Sequence, residues 1–132
     1  MAQSYTGPIF SGQPDWARVP IARLESFHWE KESPYRPASF AQLCAVRGEG
    51  IFVRMWSFES PIRAVAAKRD DPVYQDSCLE CFLNPFPAQQ NSYINFEMNP
   101  NGVFLTEFGS EREGRERLSL SLIHISEPTR QE

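Results

Sequence analysis

The fold is decided by the stretch DDPVYQDSCLECFLNPFPAQQNSYINFEMNPNGVFLTEFG, residues 70–109. Apolar and polar side chains alternate over 93–99, which is typical of a β-strand with one apolar and one polar face. The residues that follow, Asn99-Pro100-Asn101-Gly102, favour a tight turn, and alternation resumes over 103–108. The stretch therefore predicts a hairpin, preceded by a strand over 77–84 whose two faces are both expected to be largely buried.

Glu80 is the acidic residue of that first strand, and it lies among apolar neighbours. Burial of a carboxylate without partners costs several kcal/mol, so something must satisfy it. A neighbouring arginine or backbone amides would do so in a purely structural arrangement. The hydroxyl groups of a ligand, met at the mouth of a groove, would do so in a binding site.

A second hairpin is predicted upstream, where 39–47 and 51–58 flank Gly48-Glu49-Gly50. Its expected core residues are Leu43, Ala45, Ile51, Val53 and Met55. Trp56 falls on the opposite face, where it is either a core residue or an aromatic platform for the apolar face of a sugar ring. Residues 1–15 are polar and rich in Pro and Gly, which indicates a loose lead-in.

Two motifs carry a resemblance to a known family: DSCLECF at 76–82 and YINFEMN at 93–99. Upstream, Phe27-His28-Trp29 and Tyr35-Arg36-Pro37 agree in order and spacing. Over about residues 15–118 the chain resembles the carbohydrate-binding family 9-like domains of bacteria. The resemblance implies an all-β fold, an immunoglobulin-like antiparallel β-sandwich, that binds a mono- or oligosaccharide without cleaving it.

The resemblance also implies site residues. One aromatic residue that clamps the sugar in family members aligns with Tyr74, where those members have Trp, and their strand glutamate aligns with Glu80. The second clamping aromatic has no counterpart here. Residue types add hydrogen-bonding groups for vicinal hydroxyls on the second strand. Family members often have arginines after the turn, which implies Arg112 or Arg115 as a partner of Glu97 or of a ligand, with a solvated turn as the alternative. The candidate ligand-binding residues are Tyr74, Glu80, Asn95, Glu97, Trp56 and Arg112.

Residues 120–132 resemble no part of that family. They are similar to the in-frame translation of a sequencing adapter, so we expect a non-native tail and a gene that continues past Ser119. The expected organisation is then the lead-in, a partial β-sandwich domain over 16–119 that is incomplete at its C-terminus, and the tail.

Composition excludes several classes of function. The formal net charge is −4 and the basic residues form no stripe, which argues against nucleic-acid binding. Apolar runs are too short to span a bilayer, and the start of the chain lacks the features of a secretory signal, so the expectation is a cytoplasmic protein with no membrane partner. An odd count of three cysteines indicates reduced thiols.

No cofactor is predicted. Cys78 and Cys81 form a C-x-x-C, but residues three apart on a strand point to opposite faces, which argues against zinc or a disulfide. A haem-binding sandwich would lack credible axial ligands. Asp70, Asp71 and Asp76 offer oxygen ligands for calcium, although three carboxylates fall short of the six to eight oxygens that calcium takes, and a solvated acidic loop is the alternative.

An enzyme is the alternative to a binding module. Glu80 and Glu97 lie on adjacent predicted strands, which are about 4.8 Å apart, so they could form the paired carboxylates of a glycosidase. Such an enzyme also needs a deep cleft that raises the pKa of one carboxyl, and nothing in the sequence builds one. Non-catalytic sugar binding is therefore the favoured interpretation.

Overall fold

The computed structural model describes residues 3–29 and 31–118, so the predicted tail at 120–132 lies outside the described residues. Within them the chain forms eight β-strands, two short 3-10 turns and no α-helix, hence no helix able to cross a membrane. The strands make two four-stranded sheets, as in a β-sandwich, which confirms the predicted fold class. The chain divides into two compact units, residues 1–60 and 61–132, and each contains one sheet.

The first unit is built on the hairpin predicted from Gly48-Glu49-Gly50. Its long strands pair antiparallel from Ala38 opposite Phe58 to Val46 opposite Gly50. The other edge of the first long strand is shared by two short strands, one parallel and one antiparallel. The strands are β1 (Ile9–Phe10), β2 (Ala22–Leu24), β3 (Ala38–Val46) and β4 (Gly50–Phe58).

Two expectations for the first unit are corrected. Ile51 was expected in the core but is 55% exposed, because it lies next to the turn at the closed end of the hairpin. The lead-in is not wholly loose, since it contains β1, and the Leu43 N–H donates to the Tyr5 hydroxyl at 3.1 Å. The buried centre of this unit includes Cys44, Val46 and Gln42, whose amide donates to the Val19 carbonyl at 2.8 Å.

The second unit contains the decisive stretch. Its strands run antiparallel in simple sequence order. The turn after the second of them forms as predicted: Asn99 Oδ1 accepts hydrogen bonds from the N–H groups of Asn101 and Val103, each at 3.0 Å, and Gly102 adopts φ +77°. The strands are β5 (Leu79–Leu83), β6 (Tyr93–Met98), β7 (Phe104–Gly109) and β8 (Glu116–Arg117).

Burial in this sheet differs from the expectation. Only one face of β5 is half-buried, and Phe82 on the other face is 55% exposed. On β6 the polar positions are the buried ones: Asn95, Glu97 and Asn99 are 0, 6 and 3% exposed, whereas Phe96 is only half-buried. Polar side chains tolerate burial when other groups satisfy them. Neighbouring groups therefore cover Asn95, Glu97 and Asn99, and the contacts of these side chains lead to the candidate site.

Asp76 organises the segment that precedes β5. Its Oδ2 accepts hydrogen bonds from the N–H groups of Val65 and Ala66 at 3.0 and 2.9 Å and from Asn99 Nδ2 at 3.0 Å. Arg63 Nε lies 3.4 Å from Asp76 Oδ1. These donors, the Asn99 amide first, hold the pKa of the Asp76 carboxyl below its usual range. One carboxylate thus fixes this segment against the β6–β7 turn.

Candidate functional site

One face of the β5–β8 sheet collects most of the polar side chains singled out from the sequence. Cross-strand partners lie on the same face, as do residues two apart on one strand. The register pairs Glu80 with Glu97, and Phe82 with Asn95, and it continues across the sheet to β7 and β8. We call this surface the polar face; it comprises Glu80, Phe82, Tyr93, Asn95, Glu97, Glu107 and Arg117.

Glu80 and Glu97 are direct neighbours on the polar face. One side-chain oxygen of each carboxylate and the sulfur of Cys78 all lie within 4.8 Å of one another. Glu80 is exposed, whereas Glu97 is 6% exposed. Asn95 fixes the buried partner: its Nδ2 donates to Glu97 Oε1 at 2.7 Å, while its Oδ1 accepts from the Glu107 N–H at 2.9 Å.

This arrangement shifts the pKa values of two groups. Partial burial, and then the charge of Glu97, raise the pKa of the Glu80 carboxyl, which Arg112 and Arg115 partly oppose. Burial is also the main cause that raises the pKa of the Cys78 thiol to about 12, followed by the two glutamates. Glu80 therefore keeps a proton more readily than an ordinary glutamate, and Cys78 is a neutral thiol at pH 7.

An aromatic pair lies beside the carboxylates. The rings of Phe82 and Tyr93 meet edge to face, with centroids 5.7 Å apart and planes at 86°, and they line a shallow apolar depression. The Arg115 guanidinium lies 5.8 Å from the Tyr93 centroid and its Nη2 is 3.2 Å from Glu107 Oε2. Apolar rings, carboxylates and a guanidinium thus occur together on one surface.

Sequence reasoning did not single out Phe82 and Tyr93. The signal was present in the strand alternation, because Phe82 follows Glu80 by two residues and Tyr93 precedes Asn95 by two. Gly109 was also missed. A Cβ at Gly109 would lie 2.7 Å from Arg115 Cγ, so this glycine makes room for the arginine that crosses Tyr93.

The predicted site residues are only partly brought together. Glu80, Glu97 and Asn95 are adjacent, and the charge of exposed Arg112 acts on Glu80. Tyr74 lies in the 3-10 turn Val73–Gln75 and is 59% exposed; among residues 3–29 and 31–118 its side chain has no hydrogen-bonding or ring partner. Its contact with a sugar stays a prediction.

Trp56 belongs to the other unit of the chain. It is half-buried on β4, where its ring stacks on Phe40 with centroids 5.5 Å apart and an interplanar angle of 24°. The Arg54 guanidinium lies 5.6 Å from the Trp56 centroid. These contacts give Trp56 a packing role within its own sheet, and its role in sugar binding stays a prediction.

The groups considered for metal binding have defined environments. Asp71 Oδ2 accepts hydrogen bonds from the N–H groups of Ala67 and Lys68 at 3.0 and 2.9 Å. This oxygen, like Asp76 Oδ2, is therefore already bonded to backbone N–H groups. The calcium site stays a prediction. Cys78 and Cys81 are free thiols, and the register places Cys81 opposite Phe96, on the face away from Glu80.

Comparisons with known proteins agree with the all-β fold. The family model of carbohydrate-binding family 9 matches residues 13–129. A crystal structure from Bacteroides uniformis ATCC 8492, of a protein proposed to bind carbohydrate, is similar at 29% sequence identity with a TM-score of 0.70. The match covers 82% of this chain and 48% of that one, so the chain spans about half of that protein. No curated protein matches.

Proposed function

This chain belongs to carbohydrate-binding family 9, and on that premise we propose that it is a non-catalytic module that binds a mono- or oligosaccharide on the polar face. The observation that carries the proposal is the juxtaposition of the Glu80–Glu97 pair with the Phe82–Tyr93 rings on one surface. A carbohydrate presents hydroxyl groups to the former and apolar C–H groups to the latter, and the site offers both.

Each residue has a distinct role in this proposal. Glu80, the exposed carboxylate, accepts hydrogen bonds from vicinal hydroxyls, and Glu97 supports it from beneath. Asn95 is fully buried and both ends of its amide are engaged, so it positions Glu97 in place of the direct ligand contact expected from the sequence. Tyr74 and Arg112 are exposed and available as further contacts.

A glycosidase fits the geometry less well. Inverting enzymes hold their carboxyl groups about 6.5 to 9.5 Å apart to admit a water molecule, and retaining enzymes about 5 to 5.5 Å. The nearest side-chain atoms of Glu80 and Glu97 lie within 4.8 Å, and Glu97 is only 6% exposed. Among the described residues the depression beside this pair is shallow, and it lacks the deep cleft that a glycosidase needs, which favours binding over hydrolysis.

Isothermal titration calorimetry against a panel of mono- and oligosaccharides tests the proposal, with chromogenic glycosides assayed in parallel. We expect binding without turnover. Glu80→Gln should weaken binding about 5- to 150-fold, since an interaction of about 1 to 3 kcal/mol is lost. Glu49→Gln, an exposed carboxylate in the β3–β4 turn, is the matched control and should bind like the wild type.

Phe82→Ala tests whether the sugar binds on the polar face or on another part of the chain. Because Phe82 is 55% exposed, the variant should fold normally and lose affinity through the missing apolar contact. Turnover of any glycoside that Glu80→Gln abolishes would establish the enzyme instead. Undiminished binding by both Glu80→Gln and Phe82→Ala would place the sugar elsewhere.

A further inference from the structure

Three potential metal ligands converge where β5 begins. The sulfur of Cys78 and one oxygen each of Glu80 and Glu97 lie within 4.8 Å of one another. Cys78 precedes Glu80 by two residues, and Glu97 is the direct cross-strand partner of Glu80, so the backbone register itself produces the cluster. Saccharide binding accounts for the two carboxylates but gives the thiol no role.

Arg112 and Arg115 offset the negative charge of the cluster only in part. Like charges directly opposite each other on antiparallel strands destabilise the pairing. Glu97 is 6% exposed, and its carboxylate is one of the three clustered ligands. Among residues 3–29 and 31–118, Glu97 Oε2 has no hydrogen-bond partner. Arg115, a nearby cation, is held by Glu107 at 3.2 Å. A cation bound between the three groups would supply the partner that this buried carboxylate oxygen lacks.

We propose that Cys78 Sγ, Glu80 and Glu97 bind one divalent zinc ion. Zinc accepts thiolate and carboxylate ligands together, with Zn–S near 2.3 Å and Zn–O of about 2.0 to 2.2 Å. A tetrahedron with those bond lengths separates its ligand atoms by about 3.3 to 3.6 Å. The three ligand atoms now lie within 4.8 Å of one another, so zinc binding requires rotation of the exposed Glu80 side chain and a closer approach of Cys78 Sγ to Glu97.

The chemistry of the ligand set selects zinc over calcium. A thiolate is a poor ligand for a hard cation, and calcium requires six to eight oxygens. Binding replaces the Cys78 S–H bond by a Zn–S bond, and the thiol proton passes to the buffer. Three protein ligands leave a fourth position for water, which makes this an open zinc site. This inference goes beyond sugar binding and does not depend on it.

Metal binding to the full chain, freed of metal with a chelator and of any purification tag, tests the proposal. We expect one zinc ion per chain by calorimetry, and a thiolate-to-cobalt charge-transfer band when Co²⁺ replaces it. Cys78→Ser should abolish that band and weaken zinc binding more than about 100-fold, since loss of mere supporting residues already costs 10- to 100-fold. Cys81→Ser, on the opposite face of the same strand, is the matched control and should keep both signals.

Glu97→Gln provides a second variant that preserves the shape of the side chain and its acceptor for Asn95. It should keep the circular dichroism spectrum of the wild type and weaken zinc binding. Absence of zinc binding at micromolar concentrations in the wild type would overturn the proposal. A cobalt thiolate band that survives Cys78→Ser would overturn it as well. Sugar binding measured with a chelator present is an independent readout, so the two proposals can fail separately.

Discussion

Glu80→Gln should stabilise the protein at pH 7 even though Glu80 lies in the proposed binding site. Two unit negative charges at the upper limit of this spacing, 4.8 Å, repel by about 0.9 kcal/mol in a water-like dielectric and about 3.5 kcal/mol at an effective dielectric constant of 20. Glu80 is exposed, so solvent screening favours the lower figure. We expect the free energy of unfolding to rise by about 1 kcal/mol.

The stability that Glu80→Gln gains over the wild type should increase as the pH rises. The pKa of Glu80 is raised in the folded chain, so the folded state binds this proton more tightly than the unfolded state. The contribution of Glu80 to stability is therefore fully present below its unfolded pKa and falls as pH rises through the folded pKa. The advantage of Glu80→Gln over the wild type should disappear on acidification and reach its maximum above that range.

Urea denaturation followed by tryptophan fluorescence, from about pH 4 to about pH 8 with a chelator present, measures this difference. The same substitution made in a Glu97→Gln background is the control, because the repulsion that it removes is then already absent. The reasoning is refuted if Glu80→Gln is no more stable than the wild type at pH 7. It is also refuted if Glu80→Gln raises the free energy of unfolding by the same amount in the Glu97→Gln background.

Three further predictions concern the same unit. Asp76→Asn should lower the urea midpoint near pH 7 much more than Glu49→Gln does, and this difference should shrink as pH falls through the lowered pKa of Asp76, because the carboxylate then loses its charge in the wild type too. Gly109→Ala should destabilise the chain by about 1 to 3 kcal/mol in the same assay, and it should weaken sugar binding because the added Cβ displaces Arg115. The Cys78 thiol, with its pKa of about 12, should react with iodoacetamide far more slowly in the folded chain than in urea, as followed by mass spectrometry of the modified peptide.

Both long hairpins could be predicted because their information is local. Gly48-Glu49-Gly50 and Asn99-Pro100-Asn101-Gly102 specify turns through residues that accept positive φ, and Gly48, Gly50 and Gly102 do adopt it. Alternation on either side of each turn then fixes the register. The two-residue strands β1 and β8 carry no such pattern, since their pairing depends on partners distant in the sequence.

Burial could not be predicted from alternation. The pattern over 93–99 separates two faces but does not say which one faces inward. It also gives no sign that Asn95 donates to Glu97 or that Asn99 donates to Asp76. Alternation did place Asn95 and Glu97 on one face of their strand, and the register brings Glu80 beside Glu97, but their role in binding stays a prediction. Phe82 was missed because both faces of its strand were expected to be buried. Its 55% exposure and its edge-to-face contact with Tyr93 follow only from the folded sheet.

The bonds of Asp76 have a consequence for anyone who wishes to transplant this surface. Asp76, in the segment before β5, accepts a hydrogen bond from Asn99 in the β6–β7 turn, although 23 positions separate them. The two parts of the chain therefore hold each other in place. A graft that carries only the strands would leave the preceding segment without its anchor. Any minimal scaffold derived from this sheet should therefore begin upstream of Arg63 and retain Asp76 together with Asn99.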